Sequence, residues 1–283
     1  MLDVAVIGCG IVGANVAYLL SQHKLRAAVF EKENDVSMGT TRANSAIVHA
    51  GYDPEPGTAM ARLNVRGSAL TKEQCAAFDV KYRQIGSLVL AFSDEEMATV
   101  RRLYENGVAN GVPGVRVLTR EETLAMEPNL SDAVCGALYA PSAAIVEPWD
   151  LALALAEAAV ENGVELHLET AVTGAEKISG GWRLHTAKGD FEARAVVNAA
   201  GVEADLVAAM AGEPGFTTIP SRGEYYLLDK SQGYVVNHVV FQCPNRDGKG
   251  VLVSPTVHYN LIVGPNAEPS GREDVSTQAD ALA

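Results

Sequence analysis

Near its amino terminus the chain reads Gly8-Cys9-Gly10-Ile11-Val12-Gly13, a G-x-G-x-x-G spacing. Three glycines at these intervals suit a turn that must meet a pyrophosphate. Gly8 permits the tight turn, Gly10 lets backbone approach the phosphates, and Gly13 lets a following helix lie against its strand. A helix opening at Ile11 and Val12 presents unpaired N–H groups and the positive end of its dipole to an anion. Glu31 follows near the distance at which a carboxylate accepts from a ribose hydroxyl. An acid there disfavours a ribose 2′-phosphate, which leaves NAD or the adenosine half of FAD. The bland alternative is a glycine-rich strand-to-helix turn with no ligand.

Two further segments favour the longer cofactor. Thr40-Thr41-Arg42-Ala43-Asn44-Ser45-Ala46-Ile47-Val48-His49-Ala50-Gly51 offers small hydroxyl residues and then reads as a helical turn ending at His49-Ala50-Gly51. Val196-Val197-Asn198-Ala199-Ala200-Gly201 is a buried strand and a small-residue turn ahead of a helix, suited to bring backbone close to a second stretch of a long molecule.

These motifs resemble the FAD-dependent oxidoreductases of the D-amino-acid oxidase superfamily. Within it the chain is most similar to L-2-hydroxyglutarate oxidases and dehydrogenases and to FAD-dependent glycerol-3-phosphate dehydrogenases. The closer likeness rests on Asn44–Gly51, Glu213–Phe216, Pro220-Ser221-Arg222-Gly223-Glu224-Tyr225-Tyr226, Val236-Asn237-His238 and Val263-Gly264-Pro265-Asn266-Ala267. It covers nearly the whole chain.

The resemblance implies FAD as cofactor, with Gly8, Gly10, Ile11, Val12, Gly13, Glu31 and neighbouring Lys32 at its adenosine diphosphate. It implies Thr40, Thr41, Asn44 and Ser45 along the pyrophosphate and toward the flavin, Val172 at the adenine, and Ala200 and Gly201 at a second contact. The β block from Pro220 would cover the flavin and form the substrate pocket, with Arg222, Glu224 and Tyr225 as substrate-binding candidates. Three departures stand out: Ala46 where glycine is usual, Tyr52-Asp53-Pro54 in place of a more aromatic run, and Glu147-Pro148 where a small residue commonly precedes the helix. The second puts hydroxyglutarate itself in doubt.

The chemistry implied is hydride transfer to flavin from a small anionic hydroxy compound, an L-2-hydroxy acid or glycerol 3-phosphate. Removing the hydroxyl proton needs a base with a pKa near neutrality, so histidine is the natural candidate. Of His23, His49, His167, His185, His238 and His258, only His49 lies in a loop expected to face the flavin. Its alternative is a histidine that orients the loop through backbone hydrogen bonds. His238 sits in a β block, and its facing is not legible. Arg222 is the best anion clamp, because a guanidinium holds carboxylate or phosphate in two-point fashion. Its alternative is an ion pair with Glu224. Tyr225 and Tyr226 alternate along a strand, so only one of them faces the pocket. The electron acceptor stays open among quinone, oxygen and a partner subunit. The competing functional readings are a non-catalytic FAD-binding subunit, and an incomplete fragment with weak flavin binding.

The elements that must position these residues follow from patterning. A strand at Val4–Ile7, a helix at Ile11–Ser21 and a strand at Arg26–Glu31 make a β-α-β unit of a parallel sheet. Helices are expected at Thr58–Ala77, Asp94–Gly107, Thr119–Met126, Pro148–Glu161 and Val202–Ala211. Thr119 and Glu122 have capping-box spacing. Strands are expected at Ser87–Phe92, Gly136–Ala140, Val164–Leu168, Ala171–Lys177, Trp182–Thr186, Asp190–Arg194 and Ala195–Asn198. After Gly212 only strands follow: Tyr225–Leu228, Tyr234–Phe241, Gly250–Val253 and Asn260–Val263. The fold class is α/β: a discontinuous Rossmann-like FAD-binding domain (1–80 and 145–212) with a mixed, mostly antiparallel β substrate domain (81–144 and 213–268). Residues 269–283 read as a polar tail. The family resemblance implies more chain beyond it, so the sequence is expected to be C-terminally truncated there.

Composition bounds the rest. The chain has 283 residues, with 48% hydrophobic and 20% charged, enough to bury a sizeable core. A net charge of −13 argues against nucleic acid as a partner. Cys9, Cys75, Cys135 and Cys243 are scattered, with no metal-like spacing, so no metal is expected and reduced thiols are. No stretch reaches the roughly 20 apolar residues of a membrane span. A cytoplasmic location is expected, with peripheral association at the inner face of a membrane left open.

Overall fold

A computed structural model describes residues 1–244 and 250–279. The chain divides into two compact units. The first comprises Met1–Asn44, Pro148–Ser221 and Pro269–Val275; the second comprises Ser45–Glu147, Arg222–Glu268 and the described residues from Ser276 on.

The first unit is built on a six-stranded sheet. Its strands run in the order Val172–Ile178, Gly181–Thr186, Gly189–Asn198, Leu2–Ile7, Ala27–Phe30, Glu165–His167. Leu2–Ile7 is parallel to both of its neighbours, and Ala27–Phe30 is parallel to Glu165–His167. All four residues of Ala27–Phe30 are buried, as an interior strand of a parallel sheet requires. The helix Ile11–Ser21 packs on the helix Pro148–Glu161. Gly13, Ala14 and Ala17 on one, with Ala152, Leu155 and Ala156 on the other, are buried, and the small residues allow close approach. The two strands expected at Asp190–Arg194 and Ala195–Asn198 form one strand of ten residues, Gly189–Asn198. Its first half pairs antiparallel with Gly181–Thr186 and its second half parallel with Leu2–Ile7. The change in sequence character at Ala195 therefore marks a change of partner, not a break. The helix expected at Val202–Ala211 starts as a 3-10 turn, Gly201–Glu203, and continues as Ala204–Met210.

The second unit carries a seven-stranded sheet, ordered Tyr226–Leu228, Leu261–Gly264, Leu252–Pro255, Val239–Phe241, Ser87–Ala91, Gly136–Ala140, Arg116–Thr119. A smaller sheet joins Ile47–Val48, Ala144–Val146 and Tyr82–Arg83. Val89, Ala91, Leu103, Leu138, Ile145 and Val239 form its core. The helix Ala59–Ala77 is capped by Thr58, whose side chain accepts from the Ala61 N–H. Its Val65 packs against that core, so the first boundary falls after Asn44 and not near residue 80.

Several local expectations are corrected. In place of the helical turn expected to end at His49-Ala50-Gly51 stands the strand Ile47–Val48, because it pairs with Ala144–Val146, distant in sequence. The helix expected to stop at Gly107 continues to Ala109, with Gly107 buried inside it. A Cβ at Gly107 would lie 3.2 Å from Tyr52 Cβ, so glycine serves packing there instead of ending the helix. The strand expected from Tyr234 is confined to Val239–Phe241, after a 3-10 turn at Lys230–Gln232. The capping box at Thr119 and Glu122 forms as the spacing predicts.

Part of the supposed polar tail docks. Arg272 donates from Nη1 and Nη2 to Asp205 Oδ1 and Oδ2 at 2.8 and 2.5 Å. It also donates to the carbonyls of Val202 and, at 3.1 Å, Thr218. Residues 280–283 of that tail lie outside the described residues. The Arg272 guanidinium, with N–H donors from Thr218 and Leu206, holds the Asp205 carboxyl down at about 2. A depressed carboxylate pKa contributes stability above the unfolded value and loses it as pH falls through the folded one. Arg272→Ala should therefore lower the melting temperature at neutral pH. The gap from wild type should narrow as pH falls from 3.8 toward about 2, read by thermal melts across that range.

Candidate functional site

The fingerprint turn in the first unit depends on glycine at two points. Gly8 has φ of +95°, and a Cβ there would lie 2.5 Å from the Ala199 carbonyl oxygen. A Cβ at Gly13 would lie 1.9 Å from the Gly8 carbonyl oxygen. Gly10 differs: a Cβ there would meet only the Thr41 hydroxyl, at 3.0 Å. The turn thus uses Gly8 and Gly13 for its own closure, and Gly10 keeps the helix mouth open. No side chain caps this helix at Gly10, no acid sits in its first turn, and Val12 is exposed. Apart from the Ile11 N–H, which Thr41 engages, the mouth retains donors and the positive field that an anion needs.

Around that mouth lie several residues singled out in the sequence. Thr41 is buried, and its hydroxyl accepts from the Ile11 N–H at 3.0 Å. Asn44 donates from Nδ2 to the Thr40 and Thr41 carbonyls at 3.0 and 2.8 Å, closing the 3-10 turn Thr40–Arg42. Glu31 is buried, accepting from the Cys9 N–H at 2.6 Å and the Glu33 N–H at 3.0 Å. A carboxylate has about four lone-pair sites, so two backbone bonds leave capacity for a ribose hydroxyl. Burial, with Glu31 and Asp35 nearby, pushes the Cys9 thiol up to about 12, so it stays protonated and unreactive.

Val172 begins its strand just after Thr170, whose N–H donates to the Glu31 carbonyl at 2.8 Å, so it is carried to the end of the strand that precedes Glu31. The Ala199 N–H donates to the Ile7 carbonyl at 2.9 Å, setting Ala200 and Gly201 beside the fingerprint strand. A Cβ on Gly201 would meet nothing within 4 Å, so that turn is open. Lys32 is paired with Glu203 at 2.9 Å, and this hydrogen bond raises its pKa. The two turns expected to touch one long cofactor are thus neighbours within one unit.

The substrate candidates lie in the second unit. Ser45 Oγ and the Tyr225 hydroxyl share a hydrogen bond of 2.6 Å. Arg222 Nε is 3.8 Å from Glu224 Oε1, and both side chains are largely buried. Glu224 accepts from Asn266 Nδ2 at 3.0 Å and from the Gln278 N–H at 2.6 Å. Asn266 Oδ1 in turn accepts from the Glu224 N–H at 2.7 Å. Glu224 is therefore fixed by neutral donors, and its pairing with Arg222 is electrostatic instead of a hydrogen bond. His49 stacks on Phe241 with ring centroids 5.8 Å apart.

Two carboxylate–histidine pairs were missed by sequence reasoning. Glu127, buried, accepts from the Asn237 and His238 N–H groups at 2.8 and 2.7 Å, and contacts His238 Nδ1 at 2.7 Å. Glu147, also buried, bonds His258 Nε2. No local signal exists for either, because the partners lie more than a hundred residues apart. Among the described residues no group of three or more His, Cys, Asp or Glu could hold a metal ion, and no helix is long and apolar enough to cross a membrane.

The family model for FAD dependent oxidoreductases (DAO) matches residues 3–283, and the chain belongs to this family. It is 50% identical over 268 residues to a glycerol 3-phosphate dehydrogenase of Caloramator mitchellensis, covering 95% of this chain and 56% of that protein. It is 32% identical to an L-2-hydroxyglutarate dehydrogenase of Escherichia coli K12, covering 94% of this chain and 64% of that one. The chain thus spans little more than half the length of the first relative and under two thirds of the second. Its fold matches the dithionite-reduced, FAD-bound L-alpha-glycerophosphate oxidase of Mycoplasma pneumoniae with a TM-score of 0.92, at 30% identity, over 99% of this chain and 75% of that one. The cofactor is FAD, and the donors and open glycines of the first unit suit its diphosphate.

The two kinds of glycine predict different failures. Gly13→Ala should prevent folding, since its Cβ would strike backbone. Gly10→Ala should fold and melt near the wild type but bind FAD about tenfold or more weakly, a loss of about 1.4 kcal/mol. Flavin absorbance per chain after desalting, beside a melting curve, reads both.

Proposed function

We propose that this member of the family oxidises a small anionic secondary alcohol, with glycerol 3-phosphate as substrate. The observation that carries the choice is the 50% identity to a glycerol 3-phosphate dehydrogenase, against 32% to an L-2-hydroxyglutarate dehydrogenase. Tyr52-Asp53-Pro54 agrees with it, departing from the more aromatic run of the hydroxyglutarate enzymes. FAD, when bound, would supply the acceptor for the hydride of the carbinol carbon.

The remaining tasks fall to side chains of this chain. His49 takes the hydroxyl proton on its imidazole, whose ordinary pKa suits a base at neutral pH. The stack on Phe241 limits the ring's orientation, so that only its edge is offered to a hydroxyl. Arg222 binds the substrate's phosphate. Glu224 keeps the guanidinium charge in place from one side, and its own bonds to Asn266 and Gln278 keep it from swinging away. Tyr225, tied to Ser45, lines the same pocket. Gly8, Gly10, Ile11, Val12, Gly13 and Glu31 hold the adenosine diphosphate, with Lys32 beside them. Thr40, Thr41, Asn44 and Ser45 continue along the pyrophosphate, and Val172, Ala200 and Gly201 complete the cofactor contacts.

FAD-loaded protein should be yellow and should bleach anaerobically on adding glycerol 3-phosphate. Failure to bleach with either glycerol 3-phosphate or L-2-hydroxyglutarate would sink the reading. His49→Asn should lower kcat about a hundredfold or more, the scale of a lost general base. Arg222→Gln should act mainly on KM, since a phosphate clamp binds ground and transition states alike. An acceptor-coupled assay with a reducible dye separates the two parameters.

A further inference from the structure

Glu203 has no task in the reading above, yet its carboxylate reaches across the fingerprint strand. Lys32 Nζ donates to Glu203 Oε1 at 2.9 Å. We propose that Glu203 is a positioning residue of the FAD site. It holds the Lys32 side chain as a strap across the end of the strand Leu2–Ile7, and FAD enters or leaves only when that strap opens. The inference rests on the turns of the first unit being the FAD site, and not on the choice of substrate.

Strand register places the two ends of the strap. Asn198 and Phe30 both lie level with Ile7, one on each side of it. Neighbouring strands are about 4.8 Å apart, so the outer two are about 10 Å apart. Lys32 follows Phe30 closely, and Glu203 follows Asn198 through the small-residue turn. Between them Gly8 continues from Ile7, its N–H donating to the Phe30 carbonyl at 2.8 Å, and the Ala199 N–H donates to the Ile7 carbonyl at 2.9 Å. A bond from Lys32 to Glu203 therefore spans the end of the middle strand, where the glycine turn begins. The hydrogen bond to Glu203 raises the Lys32 pKa, and the nearby Glu31 carboxylate adds to the effect. The ammonium thus lies within electrostatic reach of the carboxylate read as the ribose acceptor. Glu31 is buried, whereas the Lys32 and Glu203 side chains are 49% and 29% exposed, so the strap is the outer layer and Glu31 the inner one.

The two ends differ in how they are mounted. The Glu203 N–H donates to the Ala200 carbonyl at 3.0 Å within the 3-10 turn. Asn198 Nδ2 donates to the Ala204 carbonyl at 2.7 Å, and Asn198 Oδ1 accepts from the Ala200 N–H at 3.2 Å. Arg272 holds the Val202 carbonyl and the Asp205 carboxylate, on either side of Glu203 in sequence. Glu203 is thus a fixed post, and the long Lys32 side chain is the arm that moves. An exposed ion pair is cheap to break, so the arm can open and still slow exchange a few-fold. Glu33 Oε1 also lies 3.9 Å from Lys32 Nζ. It belongs to the same segment as Lys32, so pairing with it bridges nothing.

The direction of one effect separates a strap from a simple field. Glu203→Gln removes a negative charge near an anionic diphosphate, so electrostatics alone would slow FAD release. An opened strap does the reverse. Release and entry should each quicken about threefold, the scale of an exposed ion pair, with Kd little changed. Release is read from free-flavin fluorescence after dilution of the FAD-loaded chain, and entry from mixing FAD with chain stripped of it. Glu33→Gln removes the same charge from the same neighbourhood and should leave both rates at wild-type values. In a Lys32→Met background Glu203→Gln should quicken release no further, because the post has lost its arm. Melting curves for each variant should stay near wild type, since an exposed pair contributes little to stability. Slower or unchanged release in Glu203→Gln, or an equal gain in the Lys32→Met background, overturns the proposal. A chain that retains no FAD refutes the site reading and the proposal together. A chain that retains it with unaltered exchange refutes the proposal alone.

Discussion

One close approach organises the first unit. The helix Ile11–Ser21 leaves its strand so tightly that Gly13 rests on the Gly8 carbonyl, with room for a hydrogen and none for a methyl. That contact aims the helix mouth at the end of the parallel strands. It also brings the Cys9 N–H within 2.6 Å of the Glu31 carboxylate, which locks the turn to the next strand. Ala14 and Ala17, buried on the same helix, are small enough for the helix Pro148–Glu161 to pack closely on it. A β-branched residue at any of these positions would lift the helix and misaim its donors.

Away from that turn, buried carboxylates do most of the fastening. Glu31, Glu127, Glu147 and Asp205 are all under a tenth exposed, and the Glu224 side chain is 7% exposed. Each is costly to bury unless its oxygens are met by donors. Glu127 meets four donors or donor rings from Asn237 and His238, Glu147 meets His258, and Asp205 meets Arg272 and backbone N–H groups. Most of these acids hold a segment with little regular structure to the framework. An acid in this chain is therefore as often a fastener as a reagent. Glu224 combines the two, since the charge it holds in place belongs to the anion-binding candidate Arg222.

What could be read from the sequence divides along the same line. The fingerprint, Glu31, the capping box at Thr119 and the helix Pro148–Glu161 were legible because their partners are near in sequence and the residue types are dictated by backbone geometry. The strand at Ile47–Val48 was not, because only its pairing with Ala144–Val146 makes it a strand. Helix Ala59–Ala77 was recognisable as a helix, but which unit it serves depends on where Val65 packs. Arg272 looked like part of a polar tail, since nothing local announces that Asp205 is waiting for it. The facing of His238 was illegible for the same reason. It is decided by Glu127, a residue with no signature of its own.

This division bears on how such a chain could change substrate without losing its cofactor. In the proposed reading the first unit would handle the diphosphate with backbone: glycine turns, helix N–H groups and a carboxylate that itself is held by backbone. Those features tolerate little substitution, since at Gly8 and Gly13 a single carbon collides with main chain. The second unit handles the substrate candidates with side chains, His49 on Phe241, Arg222 beside Glu224, Tyr225 on Ser45. A side chain can be exchanged at modest cost so long as its buried partner remains satisfied. Substrate preference is then free to drift between phosphate and carboxylate anions while the FAD turn stays fixed.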